Sequence, residues 1–276
     1  MHNNTDAKSI FKAGSKTFFY SSIFFPQPVK SEVFTLYSFV RIVDDYVDTL
    51  PQKKTQFYSF RKQYEKAQLT GKSQNPIIAD FVELTRKKNI KPVWVTSFLD
   101  AMESDLSTTR CKTIVQTNRY MYGSAEVIGL MMASILGLPS RAYESAQMLG
   151  RAFQYINFIR DVSEDLDLGR IYLPQNEYQK LGLETLEFAD TKKNPQAFSL
   201  FINEQLARYT QWYSMAQIGF KYIPSRYRIP IQTAADMYDF TAQQIKKNPY
   251  LIYEKKIKPN KYQVLSSGIR NTISAL

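Results

Sequence analysis

Apolar residues recur at helical spacing along almost the whole chain, whereas strict alternation rarely lasts four residues and no Asn-Gly or Asp-Gly turn joins two apolar runs. Strand signals are thus scarce, and the expected fold class is all-α, a bundle of about eight to ten helices. From Ser31 the segment SEVFTLYSFVRIVDDYVD sets Val33, Phe34, Tyr37, Val40 and Val47 at helical spacings, with Ser31 as N-cap after Pro28 and Pro51 past the end. Further helices are expected near 52–68, 75–89, 92–106, 113–136, 140–166, 196–222, 229–247 and 261–274. Gly71, Pro76, Pro92, Gly137 to Pro139, Gly169 to Pro174, Pro195, Pro224 and Pro249 punctuate the gaps. No stretch reads as a linker or an internal repeat, so a single domain over 1–276 is expected.

The rare residue types remove whole mechanisms. His2 is the only histidine and Cys111 the only cysteine, which excludes Ser-His-Asp and Cys-His catalysis, His-ligated metals and internal disulfides. Acid-base or metal chemistry must then run on carboxylates, Tyr, Lys, Arg or the substrate. A net charge of +11 favours polyanionic partners, whether phosphates, anionic lipid or nucleic acid, without choosing among them. The run Lys246 to Lys261 (KKNPYLIYEKKIKPNK) is the densest basic stretch, read either as a solvated loop or as a contact to phosphate or membrane. The polar N-terminus lacks a secretory signal, and the longest apolar run, Val127 to Leu138, falls short of the roughly 20 residues that span a bilayer. A cytoplasmic protein with a buried helix there is expected. The 19 Tyr and 18 Phe build either an aromatic core or a large apolar cavity.

Two acidic stripes carry the chemistry. Asp44 and Asp48 lie four residues apart, one turn or roughly 6 Å on a helix, where two like charges cost stability unless a cation bridges them. Arg41, three and four residues before Asp44 and Asp45, can pair part of this acidity. In Gln154 to Asp165 (QYINFIRDVSED), Gln154, Asn157, Asp161 and Asp165 fall within about 80° of one helix face, while apolar residues cover the rest. A merely exposed polar face, with Arg160 pairing Asp161 or Glu164, is the plainer alternative. Oxygen donors of this kind suit hard cations, and two facing stripes can hold Mg²⁺ or Mn²⁺ ions that complete their shells with diphosphate oxygens. A wide aromatic interior would add a long hydrocarbon to that diphosphate.

These segments resemble the squalene and phytoene synthases, which join two prenyl diphosphates head to head. Gly14-Ser15-Lys16-Thr17-Phe18 is similar to the family's segment near the diphosphate site, and Tyr37 with Arg41 to Asp48 to its first aspartate motif. Tyr122 to Gly129 (YGSAEVIG) resembles the small-residue helix beside the reaction chamber. Gln154 to Asp165, followed by Gly169 to Pro174 (GRIYLP), resembles the second aspartate motif and its loop, and Tyr238 a late chamber tyrosine. The chain departs from the pattern at Glu126, where many relatives have glycine, at Gly14, often histidine, and at Lys261, which replaces an arginine unless Lys258 or Arg270 serves instead.

The resemblance implies an isoprenoid-synthase bundle around a central apolar cavity, and the condensation of two geranylgeranyl diphosphates to phytoene through prephytoene diphosphate. Asp44, Asp48, Asn157, Asp161 and Asp165 would bind the metal. Arg41, Lys16, Arg160 and Lys261 would neutralise the departing diphosphate, with Ser15 beside it. Tyr37, Phe18, Tyr122, Gln154 and Tyr238 would line the chamber. No NADPH and no nucleic acid are expected; a peripheral membrane contact, at the inner face, is. The same fold acting on farnesyl diphosphate to give dehydrosqualene or squalene is the nearest rival. A terpene cyclase fits the second motif poorly, and a non-catalytic basic protein leaves both acidic stripes unexplained.

Overall fold

The computed structural model describes residues 21–273 except Thr108, Lys255, Lys256 and Lys258, together with the backbone but not the side chain of Lys261. Among these residues there is no strand; the one extended pairing is an isolated parallel bridge between Arg110 and Ile171. Ten helices of eight residues or more carry the fold: α1 (Val29–Asp48), α2 (Lys54–Thr70), α3 (Pro76–Lys87), α4 (Pro92–Ser104), α5 (Ile114–Met121), α6 (Val127–Ile135), α7 (Tyr143–Arg160), α11 (Pro195–Gln217), α12 (Ser225–Lys247) and α14 (Lys261–Ile273). Four short ones, α8 (Val162–Asp167), α9 (Gln175–Lys180), α10 (Phe188–Thr191) and α13 (Leu251–Glu254), occupy the connections.

The boundaries follow the local chemistry. Asn75 caps α3 by accepting from the amides of Ile77 and Ile78, Asn194 caps α11 through Ala197, and Gly71 ends α2 at φ +77°. Ser31 is not the N-cap of α1. The helix already starts at Val29, because the amides of Lys30 and Glu32 find the carbonyls of Pro26 and Pro28, and Ser31 donates to Gln27 Oε1 instead. Likewise α12 begins at Ser225 rather than at 229, and Pro230 lies inside it.

Two expected single helices are interrupted. The 113–136 segment divides into α5 and α6 around a π-turn at Tyr122–Glu126, and the 140–166 segment breaks at Asp161, whose φ of −99° and ψ of 16° lie outside the helical range. A π-turn holds one extra residue, so the residues before it are rotated by about 100° relative to an unbroken helix.

Both readings of the aromatic residues hold, because they fill two cores with a cavity between them. In the first core Phe39 stacks on Phe81 at 3.9 Å, with Phe60, Tyr64 and Phe98 around them. The second surrounds the packing of α7 on α11 and includes Tyr155, Phe158, Phe198 and Phe201. Where the π-turn and α6 cross α7 the backbones nearly touch. A Cβ on Gly150 would lie 2.4 Å from the carbonyl oxygen of Ala125, and one on Gly129 would lie 2.2 Å from that of Ala146. Gly129→Ala is therefore expected to force the helices apart at about 1–3 kcal/mol, lowering Tm by several degrees. Differential scanning fluorimetry would show this, and an unchanged Tm would mean that the crossing is not tight.

Candidate active site

The C-terminal half of α1 presents Tyr37, Val40, Arg41, Asp44 and Asp48 on one face, at steps of three or four residues, to a cavity of about 670 Å³. Val43 and Val47 pack behind them in the core. Asp45 points elsewhere and pairs with Arg41 at 2.6 Å. Burial, then the charge of Asp48, pushes the Asp44 carboxyl up from 3.8 to about 8.

From the opposite side, α7 and α8 bring Gln154, Asn157, Arg160, Asp161 and Asp165 to the same cavity. The break at Asp161 leaves the stripe intact, because the Asp161 amide still donates to the Asn157 carbonyl at 2.8 Å and the Asp165 amide to the Asp161 carbonyl at 2.9 Å. Arg160 grips Asp161 with two donors, Nε to Oδ1 at 2.7 Å and Nη2 to Oδ2. Burial, then Asp161, holds the Asp165 carboxyl well above the usual range; Asp48 also acts on it, so the two acidic segments share one field. Asn157 bonds Tyr238, whose ring stacks on Phe153 at 4.2 Å and whose hydroxyl burial pushes up to about 12. The other end of the amide, Asn157 Oδ1, is buried without a hydrogen-bond partner among the described residues.

Of the residues singled out in the sequence, Tyr37, Arg41, Asp44, Asp48, Gln154, Asn157, Arg160, Asp161, Asp165 and Tyr238 converge on this cavity. Tyr122 does not: it is 38% exposed and outside the cavity wall. Tyr120, two positions earlier, stands on the cavity wall instead. Glu126 is no part of the wall either; it is buried at 2% exposure and bonds Arg151 Nε at 2.7 Å, tying the π-turn to α7. Ser15, Lys16, Phe18 and the Lys261 side chain lie outside the described residues.

Four wall residues carried no signal that assigned them a part. Asp105, just past α4, accepts from both the Tyr120 and Tyr172 hydroxyls, the latter at 2.8 Å, and burial raises its carboxyl to about 6. Arg170 bonds Asp48 Oδ1 at 2.7 Å. Tyr172 stacks on Phe158 at 4.4 Å. Arg170 and Tyr172 stand in the loop that the resemblance picked out, but nothing local relates them to Asp105.

The donor set fits a hard divalent cation: carboxylates, an amide oxygen without a hydrogen-bond partner among the described residues, and two carboxyls, Asp44 and Asp165, whose charged forms burial disfavours in the absence of a positive charge. Among the described residues no three acidic side chains close into a complete metal cage. Each segment supplies an open half, suited to ions that take further oxygens from a phosphate-bearing substrate.

A sequence model described as squalene/phytoene synthase matches residues 11–263, and the chain belongs to that family. It is 31% identical to a 15-cis-phytoene synthase of Enterobacter agglomerans over 82% of this chain and 80% of that one. It is 25% identical to a phytoene synthase of Mycobacterium tuberculosis over 97% and 90%. The fold matches a crystal structure of a dehydrosqualene synthase in complex with ligand, with a TM-score of 0.88, 21% identity and coverage of 98% and 95%. It also matches squalene synthase HpnC from Alicyclobacillus acidocaldarius, with a TM-score of 0.79, 18% identity and coverage of 89% and 93%. The protein is accordingly a prenyltransferase-type enzyme of the divalent-metal-dependent prenyl synthase fold, in a family that acts on prenyl diphosphates.

The buried carboxyls make stability depend on pH. Asp44 binds its proton more tightly folded, at about 8, than unfolded, at 3.8, so its contribution is lost as pH rises from about 4 through about 8. In EDTA at pH 8, Asp44→Asn should melt a few degrees above wild type, and the gap should narrow markedly by pH 5. Thermal melts across that range test it; a variant that melts lower at pH 8 would contradict the burial of a charged Asp44.

Proposed function

We propose that the enzyme condenses two geranylgeranyl diphosphates head to head, first to prephytoene diphosphate and then to phytoene, releasing diphosphate at each stage. One observation carries this reading: oxygen donors from two helical segments open onto one end of a cavity whose remaining wall is largely apolar and aromatic. The relatives named phytoene synthase support the twenty-carbon substrate.

Asp44, Asp48, Asn157, Asp161 and Asp165 would hold Mg²⁺, or Mn²⁺ in its place, which as a Lewis acid draws negative charge from the diphosphate. Arg41 and Arg160, with Lys16 and Lys261 as assigned from sequence, place positive charge beside the leaving group. Tyr37, Gln154, Phe153 and Tyr238 wall the chamber. The rings of Tyr37, Phe153 and Tyr238 favour positive charge in the hydrocarbon through cation–π attraction, and the apolar lining disfavours water that would quench it. The route to phytoene contains no net reduction and so calls for no NADPH.

Farnesyl diphosphate, giving a dehydrosqualene- or squalene-type product, would use the same groups. Incubating purified enzyme with each diphosphate plus Mg²⁺, and weighing the products, separates the two. A forty-carbon hydrocarbon from the twenty-carbon substrate is expected; a thirty-carbon product alone would overturn the assignment. EDTA should abolish turnover and excess Mg²⁺ restore it, and Asp161→Asn should lose activity while keeping its helical circular dichroism.

Substrates and products of this kind are lipids. Among the described residues no helix is long and apolar enough to cross a membrane, and the +11 charge suits an anionic surface. Peripheral association at the inner face of the cytoplasmic membrane is part of the proposal, with Lys246 to Lys261 as the contact. The protein should sediment with anionic vesicles at low salt and leave them at high salt, as the Debye length falls from about 10 Å at 0.1 M to about 3 Å at 1 M. Sedimentation unaltered by Lys255→Gln, Lys256→Gln and Lys258→Gln together would remove that segment as the contact.

A further inference from the structure

Arg170 follows the left-handed Gly169 in the loop after α8 and is 3% exposed. Its Nη1 donates to Asp48 Oδ1 at 2.7 Å, and its Nη2 to the main-chain carbonyls of Val47, at 2.7 Å, and Asp105, at 3.3 Å. Gln52 Nε2 reaches the same two carbonyls at 2.9 and 2.6 Å. One guanidinium therefore joins the end of α1, the end of α4 and the loop that follows the second acidic segment. Its own loop is fixed independently. The Arg170 amide donates to the Asp165 carbonyl, and Ile171 exchanges bonds with Thr109 and Cys111, all at 2.8 Å. The guanidinium cannot follow a carboxylate that turns away.

Asp48 needs such a holder. Its side chain is 47% exposed, whereas Arg160 and Asp161, the other arginine-carboxylate pair in the cavity, are adjacent in sequence and largely buried. A half-exposed carboxylate at a helix end samples several rotamers, and ordering it costs entropy when a ligand binds.

We propose that Arg170 is a positioning residue for the divalent-cation site. It holds Asp48 by Oδ1 in one rotamer, in which the carboxylate would be ready for a cation, and sets the first acidic segment in register with the second. The inference rests on the reading that Asp48 is a metal ligand. Outer partners of ligating carboxylates typically change metal affinity 10–100-fold when removed. A lysine would not replace this one, because a single ammonium cannot serve three acceptors spread over a planar fork. Arg170 Nε is buried with no acceptor among the described residues, so direct contact with a substrate oxygen is the competing assignment.

The test needs no turnover. Mg²⁺ is titrated into wild type, Arg170→Lys and Arg170→Gln with inorganic pyrophosphate present and no prenyl substrate, and binding is followed by calorimetry and by the Mg²⁺-dependent rise in Tm. The expected result is a Mg²⁺ midpoint raised about 10–100-fold in both variants. In steady-state assays, kcat should recover at saturating Mg²⁺ while KM for the prenyl diphosphate changes little. An unchanged midpoint overturns the proposal, and an unchanged midpoint with a raised KM assigns Arg170 to the substrate instead. Should the variants melt early, a double-mutant cycle decides. Adding Arg170→Gln to Asp48→Asn should cost no further Mg²⁺ affinity, and additive losses would overturn the proposal. A wild-type protein that ignores Mg²⁺ and pyrophosphate would instead overturn the metal reading itself, a result distinct from failure at Arg170.

Discussion

Carboxylates taken out of water beside one another are the constraint around which this molecule is arranged. Desolvation and mutual repulsion both disfavour their charged forms, so each must be given a cation or keep a proton. Arginines pair three carboxylates of the two acidic segments, the largely buried Asp161 with Arg160 and the half-exposed Asp45 and Asp48 with Arg41 and Arg170. Among the described residues Asp44 and Asp165 have no basic group at ion-pair distance, and their carboxyls are the two pushed up most by burial and by neighbouring acids. Together with the unpartnered Asn157 Oδ1, they define what the fold leaves for a ligand to satisfy.

Holding that arrangement requires helices that do not shift. The near-contact of backbones at Gly129 and Gly150 fixes the π-turn and α6 against α7, and the buried Glu126–Arg151 pair locks the same junction with charge. Glu126 is held there by its own arginine partner; breaking one member of such a pair costs far more than replacing both. The aromatic cores on either side are close-packed, so the cavity between them is a shaped space within a rigid frame.

The apolar and polar parts of that lining suit the two-part substrate of the proposed reaction. The charged end gathers oxygen donors and arginines, and the rest is hydrocarbon and ring. Asp105 stands at the seam, buried and bonded by two tyrosines of the wall, while its main-chain carbonyl helps to seat Arg170. A polar network of this kind specifies ring and guanidinium orientation more than it adds stability, since every group in it would otherwise be an unsatisfied cost.

Much of this was legible in the sequence, for reasons of local physics. Helical periodicity, caps and Pro/Gly breaks are written within a few residues of each other, so the existence of the long helices, the absence of strands and the placing of Asp44 with Asp48 and Asn157 with Asp161 on common faces followed from spacing alone. Periodicity tells which residues share a face but not where a helix is underwound or broken. For that reason unbroken helices were expected where the π-turn at Tyr122–Glu126 and the break at Asp161 interrupt them, and Tyr122, which the resemblance placed at the chamber, lies off its wall. Partners far apart in the chain left no trace in any spacing. Arg170 meets Asp48 across 122 residues and Tyr172 meets Asp105 across 67, and only the packed helices and a single backbone bridge bring them together.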